Sequence, residues 1–135
     1  MRDNFWLLEN TRRLWRQYFS DLAVENDILV LFGRRNKRVL GSIKYNREKQ
    51  TTCIRLNGHF KNEKIPSYII YATIVHELVH YLHGFSCASK RLYRYPHRGG
   101  VITKELRKRN LDELEKKTKI WLKKNWLQYL KKFEN

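Results

Sequence analysis

Cysteine is almost absent: Cys53 and Cys87 are the only two in 135 residues. Two thiols are too few for a disulfide framework, and their spacing fits neither a zinc ribbon nor a redox pair. Both are expected to pack as small, buried or half-buried hydrophobes. The two prolines and six glycines fall where turns belong, and no repeat or low-complexity segment occurs, so residues 1–135 read as one domain. A long apolar run is also missing. The stretch through residues 68–82 is interrupted by His76, Glu77 and His80, and charged residues make up 31% of the chain. With a mean hydropathy of −0.72, this excludes a membrane span. The opening Met1-Arg2-Asp3-Asn4 has neither the apolar stretch nor the cleavage site of a signal peptide, so a cytoplasmic location is expected.

Acidic residues are scarce as well, 13 against 29 Lys and Arg, for a net charge of +16. The imbalance is uneven. Residues 1–33 hold four basic and five acidic side chains, so residues 34–135 carry +17. A field that lopsided favours a polyanionic partner, DNA or another nucleic acid. A lysine-rich solubilising surface is the plainer alternative.

What is present is a core-forming complement of 41% hydrophobic residues, enough to fold without staples. Phe5, Leu8, Trp15, Tyr18, Phe19 and Leu22 recur at three- and four-residue spacing, which predicts an N-terminal helix from Asp3 to Leu22. Three β-branched or aromatic stretches follow, Ile28–Phe32, Val39–Tyr45 and Thr51–Asn57, and they predict a small antiparallel sheet. Pro66 suits the first turn of a helix that Gly84 should close. Residues 85–100 read as a loop, and a short helix starts near Val101. Asn110 with Glu113 has capping-box spacing and predicts a basic amphipathic helix over 110–135. Leu111, Leu114, Trp121, Leu122, Leu127 and Leu130 form its expected apolar face. The fold class is α+β.

The central helix carries His76-Glu77-Leu78-Val79-His80. Residues four apart share a helix face, so His76 and His80 can offer two imidazole nitrogens to one zinc ion per chain. Zinc so held keeps a water whose acidity it raises. Glu77, beside the ligands, can take that water's proton as a peptide carbonyl is attacked and pass it to the leaving amine. The uncharged flanks, Tyr68 to Val75 and Tyr81-Leu82, argue against an ordinary surface helix. A third ligand is needed, and three candidates compete. His97 lies in a glycine-flanked loop, Glu105 on the following helix, and His83 on the same helix face. The metzincin spacer is absent, because His83 and Ser86 stand where Gly and His are required. His59, after Asn57-Gly58, reads as a turn residue rather than a ligand.

These residues resemble the SprT-like (Spartan-type) metalloprotease family over about positions 28 to 110. The likeness runs through Ile28 to Arg38, Leu40-Gly41-Ser42-Ile43, Ile54 to Asn57, the His76–His80 helix and His97 before glycines. It implies a zincin-like fold and a protease of the HExxH type, with His76, His80 and His97 as ligands and Glu77 as catalytic base. Members of that family cut proteins bound or crosslinked to DNA. Two departures stand out: Arg98 directly follows the third His where the family has Gly, and no CxxC pair supplies a zinc ribbon. A minimal gluzincin-type peptidase is the competing resemblance and would place Glu105 in the site.

Arg91, Tyr93, Arg94, Tyr95 and Arg98 interleave cations with aromatics beside the motif, a pattern able to stack bases and pair phosphates, or simply to pack as a structural loop. Lys123, Lys124, Lys131 and Lys132 form either a phosphate-tracking face or a solvated one. The chain thus reads as a metalloendopeptidase acting on protein or peptide, with recruitment to nucleic acid. The contrasting readings are a nucleic-acid-binding module with a non-catalytic zinc, and a latent peptidase whose C-terminal helix covers the cleft. Trp121, Trp126 and Phe133 give that helix apolar surface with which to dock on the cleft or on a second copy.

Overall fold

The computed structural model describes residues 1–85, 91–93 and 95–133. It is an α+β assembly of four α-helices and a three-stranded sheet. Helix α1 spans Asn4–Tyr18 and is capped by Asp3, whose carboxylate accepts from the Trp6 amide at 2.8 Å. It stops four residues short of the expected Leu22. Phe19 leaves helical geometry and buries its ring completely, while the Tyr18 carbonyl accepts from the Arg109 guanidinium at 2.7 Å.

Strands β1 (Asp27–Phe32), β2 (Gly41–Asn46) and β3 (Thr51–Leu56) lie in the order β1-β3-β2. β2 and β3 are antiparallel, as expected, but β1 runs parallel to β3. The expected all-antiparallel sheet is therefore corrected to a mixed one. The cause lies in residues 33–40, which carry the chain across the end of β3. Asn57 pins that crossing: its amide donates to the carbonyls of Asn36 at 2.6 Å and Val39 at 2.9 Å. β2 in turn lies close to the central helix, and a Cβ on Gly41 would meet the Thr73 methyl at 2.7 Å. Cys53 is a half-buried free thiol on β3; Cys87 lies outside the described residues.

Helix α2, Ser67–Leu82, is the core helix, with Ile69, Ile70, Ile74 and Leu78 fully buried. Pro66 precedes its first turn, and Gly84 closes it at φ 81. The amides of Gly84 and Phe85 donate to the carbonyls of Tyr81 and His80, at 3.0 and 2.9 Å. That pairing is a Schellman closure, which needs the left-handed residue that glycine provides.

After a 3-10 turn at Arg98–Gly100 come α3 (Val101–Lys108) and α4 (Asp112–Phe133). Asn110 was expected to cap α4; instead, at φ 62, it ends α3, and the Leu111 amide donates to the Leu106 carbonyl at 2.8 Å. α4 packs on the core through Thr118, Trp126, Tyr129 and Leu130. The expected core position Leu127 is instead 71% exposed. The inward row is 118, 122, 126 and 130, and Leu127 lies one residue, about 100°, off it. His59 does sit in a turn, but a buried one, with its ring edge-on to Trp126 and Tyr129 and its Nδ1 3.3 Å from the Tyr129 hydroxyl. The C-terminal helix is thus part of the core. Among the described residues no helix is long and apolar enough to cross a membrane.

Candidate metal centre

One helical turn separates His76 from His80, so α2 presents both rings on one face. His97 reaches them from the segment that enters the 3-10 turn, with Gly99 and Gly100 at φ 72 and 67. Those left-handed glycines reverse the chain into α3. The His80 Nε2 atom lies 3.1 Å from Nε2 of His76 and 3.1 Å from Nε2 of His97. Nitrogens bound tetrahedrally to one zinc at 2.0–2.1 Å stand about 3.3 Å apart, so the spacing fits a shared ion. It does not fit mutual hydrogen bonding alone, because a ring nitrogen carries at most one proton and His80 Nε2 faces two neighbours. The three histidines lie close enough to bind a metal ion, their ligand atoms all within 4.8 Å of one another, and no other such group occurs among the described residues.

Electrostatics favour the ligand form. Burial first, and the neighbouring His97 imidazole second, lower the His76 pKa to about 4. Burial, followed by His76 and His97, does the same for His80, also to about 4. Both rings are therefore neutral near pH 7, the state that binds metal. His80 Nδ1 is buried with no partner among the described residues, so the outer hydrogen bond that usually orients a metal-bound imidazole is not seen there. Glu77 is 5% exposed, and burial alone pushes its carboxyl up to about 7. A cation beside it would lower that value again.

The other ligand candidates face elsewhere. Glu105 accepts from Arg109 Nε at 3.0 Å and lies 3.7 Å from His83 Nε2. Arg109 goes on to grip Asp21 at 2.7 and 2.9 Å. His83, 1% exposed, packs its ring on Tyr93 with centroids 4.6 Å apart. This polar chain ties α2, α3 and the end of α1 together, away from the three converging nitrogens.

The cation–aromatic segment is partly spent on itself. Arg91 lies over Phe85 at 4.8 Å and Arg98 over Tyr95 at 5.1 Å. Tyr93 and Tyr95 keep exposed faces, and Arg94 lies outside the described residues. The sequence raised the C-terminal helix only as a displaceable cover of the cleft, not as a wall of a cavity beside the histidines. A cavity of about 470 Å³ opens beside His76, Glu77 and His97, and Glu115, Thr118, Lys119 and Leu122 of α4 form one wall. Periodicity had marked Leu122 as apolar. It could not indicate which inward residues would face a void rather than the packed interior. No family model, no curated protein and no solved structure matches the chain.

Proposed function

We propose that the chain is a zinc-dependent metalloendopeptidase of the SprT-like kind, with His76, His80 and His97 holding one zinc and Glu77 acting as its general base. One observation carries the reading: three imidazole nitrogens converge beside a buried carboxylate at the edge of a cavity. A zinc ion there supplies Lewis acidity toward a peptide carbonyl and acidifies water. Glu77 then accepts a proton at a carboxylate oxygen as the carbonyl is attacked, and delivers it to the amide nitrogen as the C–N bond breaks. Burial raises the pKa of Glu77 and so strengthens it as a proton acceptor, while a cation held by the histidines would lower it again. A non-catalytic zinc site has no use for a carboxylate buried between two ligands, and this favours the enzyme over the purely structural module. The gluzincin-type ligand set is disfavoured by the engagement of Glu105 with Arg109 and His83.

Recruitment to nucleic acid is the second part of the proposal. It rests on the 25 basic against 8 acidic side chains of residues 34–135 and on the exposed Lys and Arg of α3 and α4, among them Lys104, Lys123, Lys124 and Lys131. The test of the first part is metal analysis of the purified protein together with cleavage of an unfolded protein such as casein, for wild type and Glu77→Gln. The test of the second is DNA binding measured across a salt series.

A further inference from the structure

We propose that the cavity beside the three histidines is the subsite that receives one bulky apolar side chain, of Phe, Tyr, Leu or Met size, from the chain being cut. On this view α4 sets its depth. The inference rests on the peptidase reading and adds a substrate preference to it.

The walls come from three helices and from the entry to β2 at residues 39–41: Ala72 and Val75 of α2, Ile102 and Leu106 of α3, Leu111 at the head of α4, and Leu122 within it. At about 470 Å³ the space lies within the range of clefts that enclose small ligands and exceeds a packing defect. His76, Glu77 and His97 line the same cavity. A side chain seated there therefore brings the adjoining peptide group to the carboxylate and the converging imidazoles.

Charge decides the class of side chain. Besides Glu77, two ionic residues stand in the wall, and they face one another, with Lys119 Nζ 3.9 Å from Glu115 Oε1. The other Glu115 oxygen accepts from the Thr103 hydroxyl at 3.3 Å. Glu115 is thus engaged twice and Lys119 extends largely into solvent, and an unpaired charge entering the apolar part of the wall is strongly disfavoured. One polar atom does look for a partner. Thr118 is 7% exposed and lines the cavity, and its hydroxyl has no hydrogen bond among the described residues. Helical threonines often return that hydroxyl to the carbonyl four residues back, as Thr11 and Thr73 do here at 2.8 and 2.9 Å. Thr118 does not, and it offers a single hydrogen bond within otherwise apolar walls. A mostly apolar side chain fits this lining, and Tyr or Met can also use the hydroxyl.

The experiment uses the whole 135-residue chain as Glu77→Gln, supplemented with zinc, so that binding is read without cutting. N-acetyl-phenylalaninamide and N-acetyl-alaninamide are titrated while the methyl resonances of Ile102, Leu106 and Leu122 are followed. The expected result is saturable shifts with the phenylalanine probe and a Kd at least tenfold lower than for the alanine probe. Ala72→Leu and, separately, Leu122→Trp take up the space. Whichever of them folds should weaken the phenylalanine probe at least tenfold. In parallel, wild type should cut peptides bearing Phe, Leu or Met next to the scissile bond at least tenfold faster than the Ala or Asp versions. Absent methyl shifts, or equal affinity for both probes, overturns the subsite whether or not peptides are cut. Saturable binding blocked by the filling variants, with no peptide cut, retains the apolar site and overturns the peptidase reading instead.

Discussion

The Nε2 atoms of His80 and His97 lie 3.1 Å apart although seventeen residues separate them in the chain. His97 is thereby brought to the pair on α2, while Glu105 is drawn to Arg109 and His83. His97→Ala should therefore cut bound zinc sharply, and Glu105→Gln should leave it near one per chain, as read by elemental analysis after gel filtration. Reversed outcomes would move the third ligand to Glu105 and favour the gluzincin-type site.

Buried histidines give the metal-free protein a definite pH response. His76 and His80 titrate near 4 when folded, against an ordinary 6.5. Their contribution is therefore present above pH 6.5 and is lost as pH falls toward 4. His83, also lowered by burial, has the same sign. Glu77, raised from 4.5 to about 7, acts in the opposite sense: its contribution is present below pH 4.5 and is lost as pH rises through 7. Between pH 4.5 and 6.5 the histidine protons outnumber the single carboxyl proton. Stability of the EDTA-treated protein should then rise with pH, by about 1.4 kcal/mol per pH unit for each net proton. Glu77→Gln should steepen that rise. Urea melts across the window measure both, and a flat profile in both proteins would contradict the buried, neutral state of these groups.

Helix α4 should behave as core. Trp126 stacks on Tyr129 with ring planes 7° apart and donates its indole N–H to the Lys37 carbonyl at 2.8 Å. Trp126→Ala should cost about 3–5 kcal/mol of unfolding free energy, the usual range for emptying a buried aromatic site. The neighbouring Leu127→Ala should change it by no more than about 0.5 kcal/mol. Equal, small effects in denaturant titrations would mean that the helix is a detachable tail.

α2, its histidine pair and its closure at Gly84 were legible because each is a local pattern: four-residue spacing, or a glycine two residues beyond the last helical residue. Strand direction was not, because side chains alternate with period two in parallel and antiparallel pairs alike. β1 therefore gave no sign that it would lie beyond β3. Asn110 is ambiguous for a chemical reason, since asparagine serves both as an N-cap and as a left-handed helix end. Only the neighbouring Leu106–Leu111 bond decides between them. The cavity wall formed by Glu115, Thr118 and Lys119 is a tertiary property with no one-dimensional signature.

The basic surface makes a separate prediction. Binding to DNA should weaken steeply with salt, with log affinity falling linearly in log salt by about 0.7–0.9 per phosphate contact. Tyr95→Ala combined with Tyr93→Ala should remove any preference for single strands while keeping most of the slope, because stacking contributes about 1–3 kcal/mol per base and little charge. Undetectable or salt-insensitive binding near physiological ionic strength would assign the charge to solubility instead.

Glu77 as general base is tested by one paired measurement: zinc content and peptide cleavage determined on the same preparation of Glu77→Gln. Glutamine keeps the shape of the side chain but loses the oxygen that accepts the proton. The expected result is one zinc per chain, an unchanged fold by circular dichroism, and a cleavage rate at least a hundredfold below wild type, in line with the roughly 10²–10⁴-fold contribution of a general base. Zinc retained with cleavage at the wild-type rate would contradict it.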